Sequence, residues 1–291
     1  MWPTSSSPRR VLRKSMPSFT NSFLLFFYQI ALGGLFGLSV TPFHELERAF
    51  YKSTAGVLFV IAVLALWGKT TLYWQSHSVA LSLGALAEIT FYSLFVILFA
   101  AYMISLWGEN QEFRARSFAS CVLCGLGGLI FSSRGFYDAD FWSVETFLYP
   151  VSFFLSALLL GTVTVGMLIG HWYLIDTGQS LEPFVRLYKF FVATLVAQTL
   201  FLIVYPAGLY ILGTSRTVMS LDRLWLDHST LLLARLISGQ VAPLILAWMI
   251  WRTLLIPHTM AATGLFYIAL LGVFVGEILG KQILALTSLP F

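Results

Sequence analysis

Eight apolar stretches, each nearly free of charge, set the terms for the rest of this chain. They fall at 22–43, 51–67, 79–107, 117–133, 146–171, 186–213, 229–252 and 258–281. A helix needs ~20 apolar residues to cross a ~30 Å hydrocarbon layer. Lipid offers no hydrogen bonds to a bare backbone, so a crossing segment must satisfy its own polar groups, as a helix does. The expected fold is therefore all-α: a polytopic transmembrane bundle of about eight helices. Composition agrees, since 58% of the 291 residues are hydrophobic and 10% are charged, against ~25% charged in a soluble domain. The second and fourth stretches are short. They are expected to recruit flanking residues or to lie where the bilayer is thin.

Residues 1–21 form a basic, serine-rich tail with Arg9, Arg10, Arg13 and Lys14, and no acid precedes Glu45. No small-x-small cleavage site closes the apolar run that follows. The tail therefore reads as a cytoplasmic topology determinant and residues 22–291 as one transmembrane domain. An even number of spans puts both termini on the cytoplasmic side. In that orientation nine Lys and Arg fall on inner segments and seven on outer ones, a weak bias in the expected direction. The formal net charge of +4 comes largely from the tail and points to a membrane anchor, not to nucleic acid. The expected location is an integral one, in a bacterial inner (plasma) membrane.

Small residues mark where helices approach. Gly33 and Gly37 are four apart in the first span. Gly166 and Gly170 repeat the spacing in the fifth, and Gly272, Gly276 and Gly280 extend it over two steps in the last. Such stripes let backbones close in where lipid gives no hydrophobic drive. Pro206 and Pro243 each predict a kink, because proline releases a carbonyl from its helical bond. No internal repeat is visible. Cys121 and Cys124 share a face of the fourth span beside Gly125, Gly127 and Gly128, which reads as small-residue packing. A thiol oxidoreductase would need a second shuttling pair, and the chain holds two cysteines in all.

A charge inside lipid costs ~2.5–3.5 kcal/mol even on the lenient insertion scale, so each one needs a partner, a water path or a task. Gln29, Glu88, Arg235 and Glu277 are the candidates. Alternating helix directions place all four at similar depth in the inner leaflet. They read either as a quinone head-group or proton path, or as structural ion pairing, with Lys281 one turn after Glu277 and Arg235 snorkelling inward. His44, His171 and His258 fall near the outer border, and His77 and His228 in inner loops. None lies deep in a span, which argues against a bis-histidine haem. A metal site from His44, His171 and His258 has nothing to fix its distances, so no metal is expected. His171, beside the interfacial pair Trp172 and Tyr173, suits a quinone carbonyl at head-group depth or a plain helix-end role.

Taken over the whole chain, the layout resembles the membrane-anchor subunits of polysulfide and dimethyl sulfoxide reductases, the NrfD-like group. The resemblance is carried by eight spans without a soluble domain, the glycine-rich first helix QIALGGLFG and the glycine-rich last one, ATGLFYIALLGVFVGEILGK. It implies a quinone-interacting subunit of a respiratory or electron-transfer complex. Such a subunit docks iron–sulfur or cytochrome partners and holds neither haem nor an iron–sulfur cluster itself. Two other readings stay open: a small-solute or ion transporter, and a scaffold subunit without chemistry of its own.

Overall fold

The computed structural model describes residues 19–43, 45–75, 83–137, 142–176, 178, 180–256 and 259–291. Among these residues ten α-helices follow in order: α1 (Phe19–Ser39), α2 (Arg48–Gln75), α3 (Leu83–Ser105), α4 (Gln111–Arg134), α5 (Val144–Ile175), α6 (Glu182–Leu212), α7 (Ser215–Asp227), α8 (Ser229–Leu236), α9 (Ala242–Leu254) and α10 (Thr259–Thr287). A single π-helical turn, Ile237–Val241, joins α8 to α9. Eight helical segments among the described residues are long and apolar enough to cross a membrane, with Ser229–Leu254 counting as one. The chain is a polytopic α-helical membrane protein. Below, the near face is the one at which α1 begins, and the far face is opposite.

The two short stretches need no thin bilayer. α2 runs for 28 residues and α4 for 24. Both outlast their apolar windows because the charges that end the windows fold inward. Lys69 is a buried residue of α2, and Arg114 is a buried residue of α4. α10 likewise continues through buried Lys281 to Thr287. Glu277 therefore lies ten residues from that helix end, about 15 Å along the axis, not about one turn from it. α7 falls where the sequence reads as a loop. It is amphipathic, burying Thr217, Leu221 and Leu224, and Thr214 caps it by accepting the Thr217 amide. An apolar window is blind to such a helix, because only one stripe of it is apolar.

α1 and α5 form the axis of the bundle. In each, 72% of the most apolar window is buried, against 39% or less in the other six spans. They run parallel and cross at Gly33 and Gly161. A Cβ on Gly33 would lie 1.6 Å from the Ala157 carbonyl oxygen, and one on Gly161 would lie 1.8 Å from the Gly33 carbonyl carbon. Only glycine fits at that crossing. The last helix docks on α5 in the same way, with Phe266 against Gly166 and Thr263 against Gly170. Around the axis each half follows one neighbour scheme. α1 to α4 pack as 1 on 2, 2 on 3, 3 on 4 and 4 on 1, and α5, α6, α9 and α10 repeat it. This repeat lives in the packing, not in the sequence.

Lipid-facing side chains such as Val60, Ile97, Ile104, Ile203 and Ile268 are more than half exposed, as expected where the solvent is hydrocarbon. α6 runs unbroken through Pro206. At Pro243 the expected break is the π turn: the Ala242 amide bonds to Ile237, five residues back, and the wider turn relieves the clash a proline makes with the preceding turn. After Thr287 the chain turns at Ser288, whose φ is 62°. Leu289 and Phe291 are buried, and the Ser152 hydroxyl donates to the Pro290 carbonyl at 3.1 Å.

Candidate functional site

Sequence reasoning expects Gln29, Glu88, Arg235 and Glu277 at one level. The structure brings Arg235 and Glu277 together and gives Glu88 and Gln29 other partners. Two of the buried polar networks are centred on these residues, one in each half of the bundle.

The first is centred on Glu88. Lys69 Nζ lies 2.8 Å from its Oε1. The Tyr73 hydroxyl donates to Oε2 at 2.6 Å, and the Ser132 hydroxyl donates to Oε1. Tyr92 shares a hydrogen bond of 2.9 Å with Ser132, and Lys69 also donates to the Asn21 side-chain oxygen. Tyr28 stacks on Tyr92 at 3.8 Å and donates to the Gly125 carbonyl. One cation faces one anion, and both carboxylate oxygens have donors.

The second is centred on Glu277 and is more deeply buried. Arg235 and Glu277 have 0% exposed side chains, and Arg235 Nη2 donates to Glu277 Oε1 at 2.6 Å. Gln198 Nε2 donates to the same oxygen at 2.7 Å and to the Ser156 hydroxyl at 3.1 Å. Gln240 donates to Gln198 Oε1, and Thr199 donates to Gln240 Oε1. Lys281 Nζ approaches Glu277 Oε2 to 3.6 Å. Among the described side chains, two cations thus face one carboxylate. Arg235 Nε, Arg235 Nη1 and Glu277 Oε2 have no hydrogen-bond partner among the described residues. Arg235 does not snorkel. It turns inward because three glycines leave it room. A Cβ on Gly239 would lie 2.0 Å from Nη1, one on Gly276 3.0 Å from Nη1, and one on Gly280 3.0 Å from Nε. The glycine stripe of α10 serves this guanidinium as well as helix packing. The π turn supplies both Gly239 and Gln240 to the same place.

Gln29 sits on the central axis, where its amide donates to the Phe153 carbonyl at 2.8 Å. Its own Oε1 is buried without a hydrogen-bond partner among the described residues. The tight crossing one turn later at Gly33 is what brings α1 close enough for that bond. His171 is exposed on the far part of α5, one turn before its end. Its Nδ1 lies 3.2 Å from the Tyr267 hydroxyl of α10. His44, His77 and His258 lie outside the described residues. Among the described residues no cluster of His, Cys, Asp and Glu assembles a metal site. Cys121 is buried with its thiol 3.6 Å from the Phe95 carbonyl, and Cys124 beside it is half-buried.

A cavity of about 380 Å³ opens at the far face, where α1 and α3 end and α2 and α4 begin. Phe43, Tyr51, Tyr102, Gln111, Arg114 and Phe118 are on its wall. Across the same face Arg186 of α6 holds Glu45 of the α1–α2 connection at 3.0 Å and Glu182 at 3.2 Å.

Residue-type reasoning missed several members. Gln198 and Gln240 meet the criterion that selected Gln29, an amide inside an apolar run, and were legible by it. Ser156, Ser132 and Tyr73 carry no such signal, since hydroxyls are common in spans. Lys69 and Arg114 sit at the ends of apolar windows, where a long basic side chain reads as solvated. No protein-family model, curated protein or solved structure matches the chain.

Proposed function

We propose that the chain is an integral membrane subunit of an electron-transfer complex, one that interacts with quinone or quinol and anchors redox partners in a bacterial inner membrane, with both termini cytoplasmic. The observation that carries the reading is the Glu277 network. It holds two cations, a carboxylate, two amides and two hydroxyls inside an apolar bundle, with donor and acceptor atoms left over. Such a network is costly in lipid, and buried charge there marks a proton or substrate path. In this reading Glu277 and Lys281 hold and pass the protons that accompany quinone chemistry, and Arg235 sets their electrostatics. His171 and Tyr267 offer a donor pair at head-group depth. Glu88 and Gln29 brace the first half and the axis. The resemblance of the sequence's layout to the NrfD-like anchors favours the same assignment.

The test is gentle purification, followed by identification of the co-purifying chains, quinone extraction and a visible spectrum. An iron–sulfur or cytochrome partner with bound quinone is expected. Glu277→Gln is expected to lower quinol-coupled turnover at least tenfold while the complex still assembles. Unchanged turnover in both Glu277→Gln and His171→Ala counts against the site. Haem bands arising from this chain count against the anchor type.

A second reading, a small-solute or ion transporter, is favoured by one feature. The span Ser229–Leu254 is interrupted mid-membrane by the π turn, and the polar residues Arg235 and Gln240 flank and line that interruption. Broken spans bearing polar groups are how transporters build midplane sites. A chain that purifies alone without quinone, and whose vesicles move a solute, supports that reading instead.

A further inference from the structure

From the far-face cavity we infer a binding site for a phosphate group, carried by an anionic amphiphile of the surrounding bilayer and held by Arg114. Among the described residues of the cavity wall Arg114 is the charged one, and it is 9% exposed. The acids nearby are committed or face away: Glu45 pairs with Arg186, Glu112 with Arg116, and Glu47 and Glu109 are exposed. The Arg114 guanidinium lies 3.8 Å from the Phe43 ring centre and donates through Nη2 to the Ser105 and Gly108 carbonyls. Its Nε has no hydrogen-bond partner among the described residues. An arginine cannot shed its proton in a protein, so the buried charge calls for an anion.

The surroundings favour an anion too. α2 begins at Arg48 and α4 at Gln111, so two helix N-termini reach the cavity level with their positive ends. The C-terminal carbonyls of α1 and α3 also reach it, but that of Leu38 accepts from Thr41 and that of Ser105 from Gly108 and Arg114. In the turns that follow, Tyr51 donates to the Thr41 and Pro42 carbonyls and Arg114 to the Gly108 carbonyl. The Tyr102 hydroxyl makes no hydrogen bond among the described residues and is available as a donor. The planar guanidinium fork matches phosphate oxygens better than the single carbonyl of a neutral ligand. The apolar part of the wall, Leu38, Ala115 and Phe118, suits the start of an acyl chain. The cavity opens at the end of four spans, which is the depth of lipid phosphates.

The experiment uses the full chain in detergent, delipidated and then supplied with phosphatidylglycerol, phosphatidylcholine, inorganic phosphate or a neutral quinone analogue. Thermal unfolding and lipid retained after washing are both read. Phosphatidylglycerol is expected to raise the apparent Tm and to be retained. Arg114→Gln is expected to lose at least nine-tenths of the retained lipid and the Tm response, and Arg114→Lys to restore part of both. Inorganic phosphate giving the full response in the wild type alone supports the phosphate site and assigns it to the free ion. Equal responses in the wild type and Arg114→Gln overturn the inference. So does a quinone analogue that protects both equally, or equal gains from phosphatidylcholine. Should Arg114→Gln fail to fold, Ala115→Leu fills the cavity and Tyr102→Phe removes a donor. Full lipid retention in both variants overturns the inference.

Discussion

The two halves of the bundle solve one problem in opposite ways. Each buries a carboxylate in lipid and brings a cation to it. Around Glu88 the charges balance, and every carboxylate oxygen has a hydroxyl or ammonium donor. Around Glu277 they do not. Among the described side chains Arg235 and Lys281 exceed the single acid, and three polar atoms there lack hydrogen-bond partners. A satisfied buried pair is close to neutral for stability and holds geometry. An unbalanced one is a standing cost, which a protein tolerates where the charge has work to do. The shared neighbour scheme makes the contrast sharper, since the same four-span layout carries a closed network in one half and an open one in the other.

The largest expected effect separates the two acids. Glu277→Ala leaves two buried cations unpaired and is expected to cost about 3–5 kcal/mol, the range for breaking a buried pair. Glu88→Ala is expected to cost about 1–3 kcal/mol, because Lys69 keeps its Asn21 partner and lies six residues from the near-face end of α2. Equilibrium unfolding in mixed micelles measures both, and equal losses erase the distinction between the halves. The cradle comes next. Gly276→Ala places a methyl against Arg235 and the Gly239 backbone, for an expected loss of about 1–3 kcal/mol. A stable Gly276→Ala protein with unchanged turnover shows that the guanidinium has room to spare.

The lysines give a difference of sign. Lys281→Met removes the surplus cation and is expected to leave stability unchanged or raise it, whereas Lys69→Met strands Glu88 and costs about 1–3 kcal/mol. If both destabilise alike, charge surplus is not what distinguishes the Glu277 network. The smallest effect is expected from Gln240→Ala, about 1 kcal/mol, through the lost bonds to Gln198 and Thr199. A double-mutant cycle with Gln198→Ala reads the coupling directly, and additive losses place Gln240 outside the network.

The span count was legible because it rests on one property, apolar length, that no tertiary contact can reverse. Helix ends were less so. Lys69 and Lys281 look like stops, and each instead lies inside a helix because a carboxylate waits on its own or the next helix. Among site residues, Glu277 and Lys281 were legible as a pair at helical spacing. Arg235 joining them was not, since its direction depends on glycines 4, 41 and 45 residues further along the chain. α7 was missed because its apolar stripe is narrow and its length short.

The sequence by itself determined that this chain lives in lipid, crosses it about eight times as helices, and carries a few costly polar groups within the spans. Hydrocarbon imposes those conclusions on any chain of this hydropathy, whatever its partners. Only the tertiary structure decided which polar groups meet. Pairing depends on helix rotation and approach, and these were fixed by particular contacts: Gly33 on Gly161 at the axis, Gly239 on Gly276 beneath Arg235, and the extra residue of the π turn that carries Gln240 to Gln198. A displacement of one residue at any of these would turn a buried charge toward a different neighbour, and no local pattern in the chain records that choice.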